Sequence, residues 1–361
     1  MTDRKLASIR KVKDVTPIEG ADFVVRATID GWDVVVLKDY VKKGDMCVFF
    51  EIDSMLPMTE RFEFLGKTTK SVGIEGYRLK TKKIRGVVSQ GLVMTLEDLG
   101  IQEVPLGADV TEALGVVKYE PLYKLPSANS NSEALTAFPE FLPKTDQERI
   151  QNVIHYFESK TEVSFEVTKK LDGSSMTVYN TYTPSKFKLW EWFKDKFIQP
   201  SNTFGVCSRN VNLREKKGNA FWDMANSLEL REALKGKNLA VQGELVSPKI
   251  QDNHEKVSKP EFYVFDIYDI TEGRYLLPEE RRRVFLRLEC ECNGDLLHVP
   301  VVFKSVQIFR SQQNLSELLN FVEGESINPG TISEGMVFKS ISTPQVTFKC
   351  VSNKYLLKCE K

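Results

Sequence analysis

Apolar and polar positions alternate in short runs through the first hundred or so residues, at 23–28, 30–37, 46–52 and 87–94. Alternation with a period of two, rich in Val, Ile, Phe and Thr, is the pattern of half-buried strands. Asp30-Gly31 between two such runs signals a hairpin, and Lys43-Gly44-Asp45 a further turn. About five strands in this length predict a small all-β barrel. From about 105 to 140 the chain changes character, with Pro105, Pro121, Pro126, Pro139 and the polar stretch 127–132, the composition of a linker. Residues 145–157 then combine acidic residues in a first turn with apolar Ile150, Val153, Ile154 and Phe157, which predicts one amphipathic helix. Beyond it, strand-like runs at 164–168, 239–245, 262–268 and 335–340 alternate with helical stretches near 219–235, 278–290 and 313–323. The expected fold class is α+β with mainly antiparallel sheets. The expected domains are an N-terminal barrel at 1–115, a linker at 116–140 and a second domain at 141–361.

A chain of 361 residues is long for a single core and agrees with two domains. Fifty Lys+Arg against fifty Asp+Glu leave no net charge, so any nucleic-acid surface must be local. One candidate is residues 76–86, where Arg78, Lys80, Lys82, Lys83 and Arg85 stand largely at alternate positions. On a strand this spacing gathers positive charge on one face, suited to a phosphate backbone; the plainer reading is a charged edge strand guarded against aggregation. A five-strand barrel of this size fits the OB type, whose face commonly binds nucleic acid. The aromatic and basic stretch 186–197 reads as an amphipathic insertion, more simply packed on its own domain than set against RNA or membrane. A polar N-terminus and the lack of a long apolar run predict a soluble, intracellular protein with no membrane partner. The six cysteines lack zinc spacing and read as reduced thiols, and three histidines are too few for a His-based site. Chemistry must therefore rest on Lys, Arg and carboxylates.

Lys170-Leu171-Asp172-Gly173 sets a candidate lysine nucleophile two residues from a carboxylate. A lysine must lose its proton to attack a phosphate, and its ordinary pKa is near 10.4, so neighbouring cations or a metal held through Asp172 would have to favour the free amine. Later segments supply matching parts. Arg209, in Ser208-Arg209-Asn210, offers a forked cation for phosphate or ribose, and Glu244 follows a close-approach glycine. Phe265 offers a face for a purine. The segment 334–339 adds the carboxylate of Glu334, the apolar Val337 and the cation Lys339, and Lys349 follows. Each alone is more often core or surface.

Together and in this order, over residues 145–361, these segments resemble the covalent nucleotidyltransferase superfamily of polynucleotide ligases and mRNA capping enzymes. The resemblance implies Lys170 as the nucleophile that becomes lysyl-AMP or lysyl-GMP. It further implies Asp172, Glu244 and Glu334 as acids that serve catalysis and a magnesium or manganese ion. Phe265 and Val337 would hold the base, Lys339 and Lys349 would act at base pocket and phosphate, Arg209 would contact nucleotide or the polynucleotide end, and Arg149 would reach the ATP phosphates. Segments 262–267, 334–339 and 348–350, with an OB-type barrel placed first, look most like nick-sealing RNA ligases. One departure is Val351, where related ligases commonly carry a second lysine; Lys354 or Lys358 are the nearby candidates for its role. The resemblance implies an ATP-dependent RNA ligase, expected as a monomer, that seals a 3′-OH to a 5′-phosphate in RNA or an RNA-containing nicked duplex. A GTP-using capping guanylyltransferase and a non-catalytic RNA-binding OB protein are the alternatives.

Overall fold

The computed structural model describes residues 5–71, 74–102, 104–119, 134–183 and 201–358; the expected insertion at 186–197 lies outside these. The N-terminal part is an OB-type half-barrel, an antiparallel five-stranded sheet in the order Leu92–Thr95, Met46–Phe50, Ala7–Pro17, Val24–Ile29, Trp32–Leu37. The long strand Ala7–Pro17 curls it. Its first half pairs with Met46–Phe50 and its second with Val24–Ile29, and the register slips between Val12 and Asp14. Such a bulge bends a strand and deepens its twist, so one strand serves two walls. The sheet is covered on both faces: Ala27, Ile29, Trp32, Val34 and Phe49 pack on one side, Ile9, Val48, Phe50, Leu56 and Phe62 on the other. Double coverage is why the run at 46–50 is apolar throughout instead of alternating.

Residues 76–86 do not form the expected charged strand. The strand Ile74–Arg78 ends, and Lys82–Ile84 pairs with Val87–Ser89 in a separate hairpin whose turn is Arg85-Gly86, both at positive φ (49° and 83°). The five cations therefore share no face. Lys82, Lys83 and Arg85 are exposed and Lys80 half-buried. Arg78 turns inward, 5% exposed, to meet Asp53 at 3.0 Å and stack on Tyr119.

The second part holds two sheets, antiparallel except where Leu297–His298 runs parallel to Glu261–Asp269. The eight-stranded sheet runs Ala134–Ala137, Val211–Leu213, Ser201–Cys207, Ser174–Thr183, Leu239–Val246, Glu261–Asp269, Arg274–Tyr275, with Leu297–His298 beside Glu261–Asp269. The four-stranded sheet runs Val301–Val306, Phe165–Lys170, Gly335–Ser340, Thr347–Val351. Helices Ala220–Ser227, Leu230–Ala233 and Pro278–Glu291 cover the outer face of the larger sheet, over Met176, Val178, Val241, Leu245, Phe262 and Val264. Helices Ile308–Ser311 and Leu315–Phe321 cover the smaller over Phe165, Val167, Phe338 and Phe348. Because successive residues of a strand face opposite ways, the residues between these core positions line the inner faces. On the smaller sheet they include Lys170, Val337, Lys339 and Lys349; on the larger, Ser175, Thr177, Gln242 and Glu244. The polar cleft between the sheets is thus a product of alternation.

Two expectations differ in detail. The segment expected as linker carries strand at both described ends: Val117–Lys118 pairs with Ser54–Leu56 of the barrel, and Ala134–Ala137 pairs with Val211–Leu213. Residues 145–157 form no single helix. The chain is extended through Arg149 (ψ 143°), with a short 3-10 turn at Ile150–Val153 and one α turn at Tyr156–Ser159. The cause is pairing with the smaller sheet, since Lys349 N–H donates to Glu148 O at 2.8 Å and Arg149 bridges Lys349 in parallel. Tertiary hydrogen bonds override the local periodicity.

The barrel docks at this same place. Trp32 Nε1–H donates to Asn152 Oδ1 (2.8 Å), Asn152 donates to Glu51 (2.7 Å), and Arg149 lies 3.5 Å from Asp53. At the hairpin tip a Cβ on Gly31 would fall 2.8 Å from Gln151 Cα, so the glycine permits close approach as well as a turn. The helix Asn353–Lys358 completes the seam, placing Tyr355 and Leu356, with Val351 of the preceding strand, in the barrel cluster of Trp32 and Phe49. Among the described residues no helix is long and apolar enough to cross a membrane.

Candidate active site

Leu171-Asp172-Gly173 is where the chain crosses from the smaller sheet to the larger. Leu171 is buried, and a Cβ on Gly173 would lie 2.6 Å from Leu245 O, so only glycine lets the crossover pass that close to the neighbouring strand. Lys170 therefore ends one sheet at the mouth of the cleft. Its strand partner is Gly335, whose φ of +142° and absent Cβ, which would meet Cys350 O at 2.2 Å, bring the preceding Glu334 alongside. Lys170 Nζ and Glu334 Oε1 are 2.6 Å apart. Burial alone would lower the Lys170 pKa, but Glu334, Glu244 and Asp172 outweigh it and hold the amine above its ordinary value, as an ammonium.

The acids feel the same crowding. Burial and the nearby Glu334 and Asp172 push Glu244 up to about 8, against the counter-pull of Lys170. Burial and Glu334 push Asp172 up to about 6, although Tyr355 Oη–H donates to its Oδ2 at 2.8 Å. Glu334 Oε2 is buried with no hydrogen-bond partner. Acids raised by burial and by one another, with an orphaned carboxylate oxygen beside them, together suit a cation. Among the described residues no three of His, Cys, Asp and Glu are arranged to ligate an ion alone, which fits an ion held through one or two carboxylates and completed by phosphate oxygens.

Deeper in the cleft the register slips between Gln242 and Gly243, leaving Phe265 without a strand partner of its own. This bulge moves the core alternation from Phe262 and Val264 to Ile267 and turns Asp266 toward the smaller sheet. Lys339 Nζ reaches across to Asp266 Oδ2 and to Phe265 O, each at 2.7 Å, and stands 5.7 Å from the Phe265 ring centroid. Arg281, fully buried, contacts Glu166 and lies 3.7 Å from Asp266. Burial, helped by Arg281 and resisted by Asp266, pushes Lys339 down to about 8.

A third group sits by the extended segment 145–149. Both Asp146 oxygens are taken by Arg209 Nη2 (2.7 and 2.8 Å), with Lys118 Nζ at 2.7 Å and Lys349 Nζ at 3.8 Å. Burial tends to raise the Asp146 carboxyl, but Lys349, Arg209 and Lys118 prevail and hold it well below the usual range.

The structure thus brings Lys170, Asp172, Glu244 and Glu334 into one cluster, sets Phe265 and Lys339 together behind it, and joins Arg209 and Lys349 through Asp146. Val337 lies half-buried on the inner face, and Arg149 lies at the seam with Asp53. Of the basic segment 78–85, Arg78 meets Asp53, the same carboxylate that lies 3.5 Å from Arg149. Sequence reasoning missed Lys118, Asp146, Glu166, Asp266, Arg281 and Tyr355. Arg281 carried a signal: it shares the spacing of Phe285 and Leu288 on the apolar stripe of its helix, where a surface arginine has no place.

A family model described as RNA ligase matches residues 163–356, and one described as an OB-fold domain matches residues 6–96. A search of curated proteins gave no match. Solved structures of Naegleria gruberi RNA ligase are similar to the chain, each over 98% of both chains. They include one mutant with ATP and Mn (37% identity, TM-score 0.82), another with AMP and Mn (38%, 0.84), and the enzyme with pyrophosphate (38%, 0.83).

Proposed function

The chain belongs to the RNA ligase family, and from that premise we propose that it joins a 3′-hydroxyl to a 5′-phosphate in RNA, using ATP, through an adenylate carried on Lys170. The observation that carries the reading is the placement of Lys170 at the cleft mouth, 2.6 Å from Glu334 and within the field of Glu244 and Asp172. In the first step the Nζ lone pair forms a bond to the α-phosphorus, the bond to the bridging oxygen breaks, and pyrophosphate leaves with that electron pair. The 5′-phosphate of the RNA then attacks the same phosphorus and releases Lys170. Finally the 3′-hydroxyl attacks the activated 5′-phosphate and expels AMP.

Each step moves negative charge onto phosphoryl oxygens, so fixed cations in a poorly hydrated cleft stabilise the transition states. Lys339, Lys349, Arg209 and Arg149 are the groups we assign to that work, with Phe265 and Val337 on either side of the adenine. The carboxylates raise a difficulty, since they hold Lys170 protonated and it must lose that proton before it attacks. Asp172, Glu244 and Glu334 are the acids of which one or two would hold magnesium or manganese together with the phosphates, and its positive charge would offset those acids and favour the free amine. ATP and the metal are assigned by kinship with the relatives solved with ATP and Mn.

We further assign a nicked duplex as the substrate, with the barrel at 1–115 as its platform and the catalytic domain at 141–361. Sealing of a labelled 5′-phosphate strand is to be compared on a nicked duplex and on free strands, with RNA or DNA supplying the 3′-hydroxyl. Faster sealing in the duplex with an RNA 3′ strand is expected. Equal rates on free single strands would refute the duplex assignment.

A further inference from the structure

We infer that Lys118, Arg209 and Lys349 form a phosphoryl-binding site whose resident occupant, until a phosphate arrives, is the carboxylate of Asp146. The inference rests on the ligase reading and adds two residues and a regulatory contact to it.

The geometry is that of anion recognition. Arg209 offers one nitrogen to both carboxylate oxygens at 2.7 and 2.8 Å, Lys118 sits on Oδ2 at 2.7 Å, and Lys349 approaches Oδ1 at 3.8 Å. Phosphate presents similar oxygens with more charge and draws the same donors. The cations come from three separate places: Lys118 from the strand paired with barrel strand Ser54–Leu56, Arg209 from the turn after Ser201–Cys207, and Lys349 from the smaller sheet. Beside them a small cleft is lined by Lys144, Ser175, Thr177 and Gln242 as well as Asp146 and Arg209, which adds hydroxyl, amide and cationic donors. Ser175 and Thr177 follow the Lys170 crossover on the cleft face, and Ser175 pairs with Glu244, which sets the site beside the Lys170 cluster.

Burial separates an exchangeable occupant from a scaffold. The Arg281–Glu166 pair is a scaffold, with both side chains 1% exposed. Asp146 and Arg209 keep 42% and 43% exposure. Partial exposure lets water and an incoming anion reach the contact, so a phosphate, which carries more charge than a carboxylate, can take the place of Asp146 on the three cations. Since Lys118 belongs to the barrel edge, filling the site also ties barrel placement to phosphate occupancy.

The shared chemistry is a phosphoryl group, from the polyphosphate of the nucleotide or the 5′ end of RNA. The test is equilibrium binding of two probes to the full-length chain, inorganic pyrophosphate and a 5′-phosphorylated RNA oligonucleotide set against its 5′-hydroxyl form. Neither probe requires the Lys170 adduct, so failure here is distinguishable from failure of the ligase reading. Asp146→Asn is expected to tighten one probe about three- to tenfold, pyrophosphate marking the nucleotide as source and the 5′-phosphate marking RNA. Lys118→Met is expected to weaken that same probe several-fold at an unchanged melting temperature. Unchanged or weaker binding in Asp146→Asn, or its failure to fold, makes Asp146 a scaffold and overturns the proposal. A Lys118→Met variant that binds like the wild type overturns the three-cation site.

Discussion

Lys170 and Lys339 stand in the same cleft, both pressed by burial toward the neutral amine, and end on opposite sides of the ordinary lysine value. Lys339 falls to about 8 because burial prevails over its one close acid, Asp266, and the buried Arg281 adds to the fall. Lys170 rises because Glu334, Glu244 and Asp172 all bear on it. The side chain proposed to act as nucleophile is therefore the one held inactive in the free protein. On the proposed mechanism, the positive charge of a metal brought in with the nucleotide would offset those acids and free the amine. The difference lies less in depth than in how far the neighbouring carboxylates oppose burial.

The sharpest way to break this contrast is to remove the rival cation. Arg281→Met leaves Glu166 and Asp266 short of a buried partner and should cost about 3–5 kcal/mol of stability, read from denaturant unfolding. It should also move Lys339 toward its ordinary pKa. A loss below about 1 kcal/mol would show that Arg281 is no structural keystone. Glu334→Gln tests the other side. It removes the contact that favours the ammonium, yet we expect the rate of adduct formation at saturating ATP to fall by about 10²- to 10³-fold, because the carboxylate is also needed for the metal and the transition state. A faster rate would reduce Glu334 to a proton trap.

The pH dependence sharpens the picture further. Glu244 is raised from 4.5 to about 8 on folding, so the folded state binds its proton more tightly than the unfolded chain. That contribution to stability is fully present below 4.5 and is lost as pH rises through about 8. Without nucleotide or metal, the melting temperature should therefore decline across this window, and Glu244→Gln should flatten the decline; an unaltered slope in the variant would assign it to other groups. The smallest effect is expected from Tyr355→Phe, which keeps the ring in the barrel core and removes the hydroxyl that donates to Asp172. A loss of about 0.5–1.5 kcal/mol with a modest slowing of adduct formation is expected. A collapse of adduct formation would make that hydroxyl a catalytic group.

Much of this was legible in the chain. The segments 170–173, 242–244 and 334–339, taken in order through their resemblance to the nucleotidyltransferases, named Lys170, Asp172, Glu244 and Glu334 as parts of one site. What escaped had a common cause. Residues 145–157 have helical periodicity, but the pairing of Glu148 and Arg149 with Lys349 keeps half of them extended, and a partner about 200 residues away leaves no local trace. Arg78 looked like its basic neighbours until Asp53 drew it inward. Lys118 falls in the segment expected as linker and Asp146 in the first turn of the expected helix, and only the three-dimensional meeting with Arg209 gives them meaning.

The most direct test of the account is incubation with α-labelled ATP and magnesium or manganese, in parallel with α-labelled GTP, followed by a search for label on the denatured protein. The account predicts label from ATP on the wild type, mapped to Lys170 and absent from Lys170→Ala. Label that persists in Lys170→Ala, or none from ATP with either metal, would contradict it, and label from GTP alone would turn the reading toward capping.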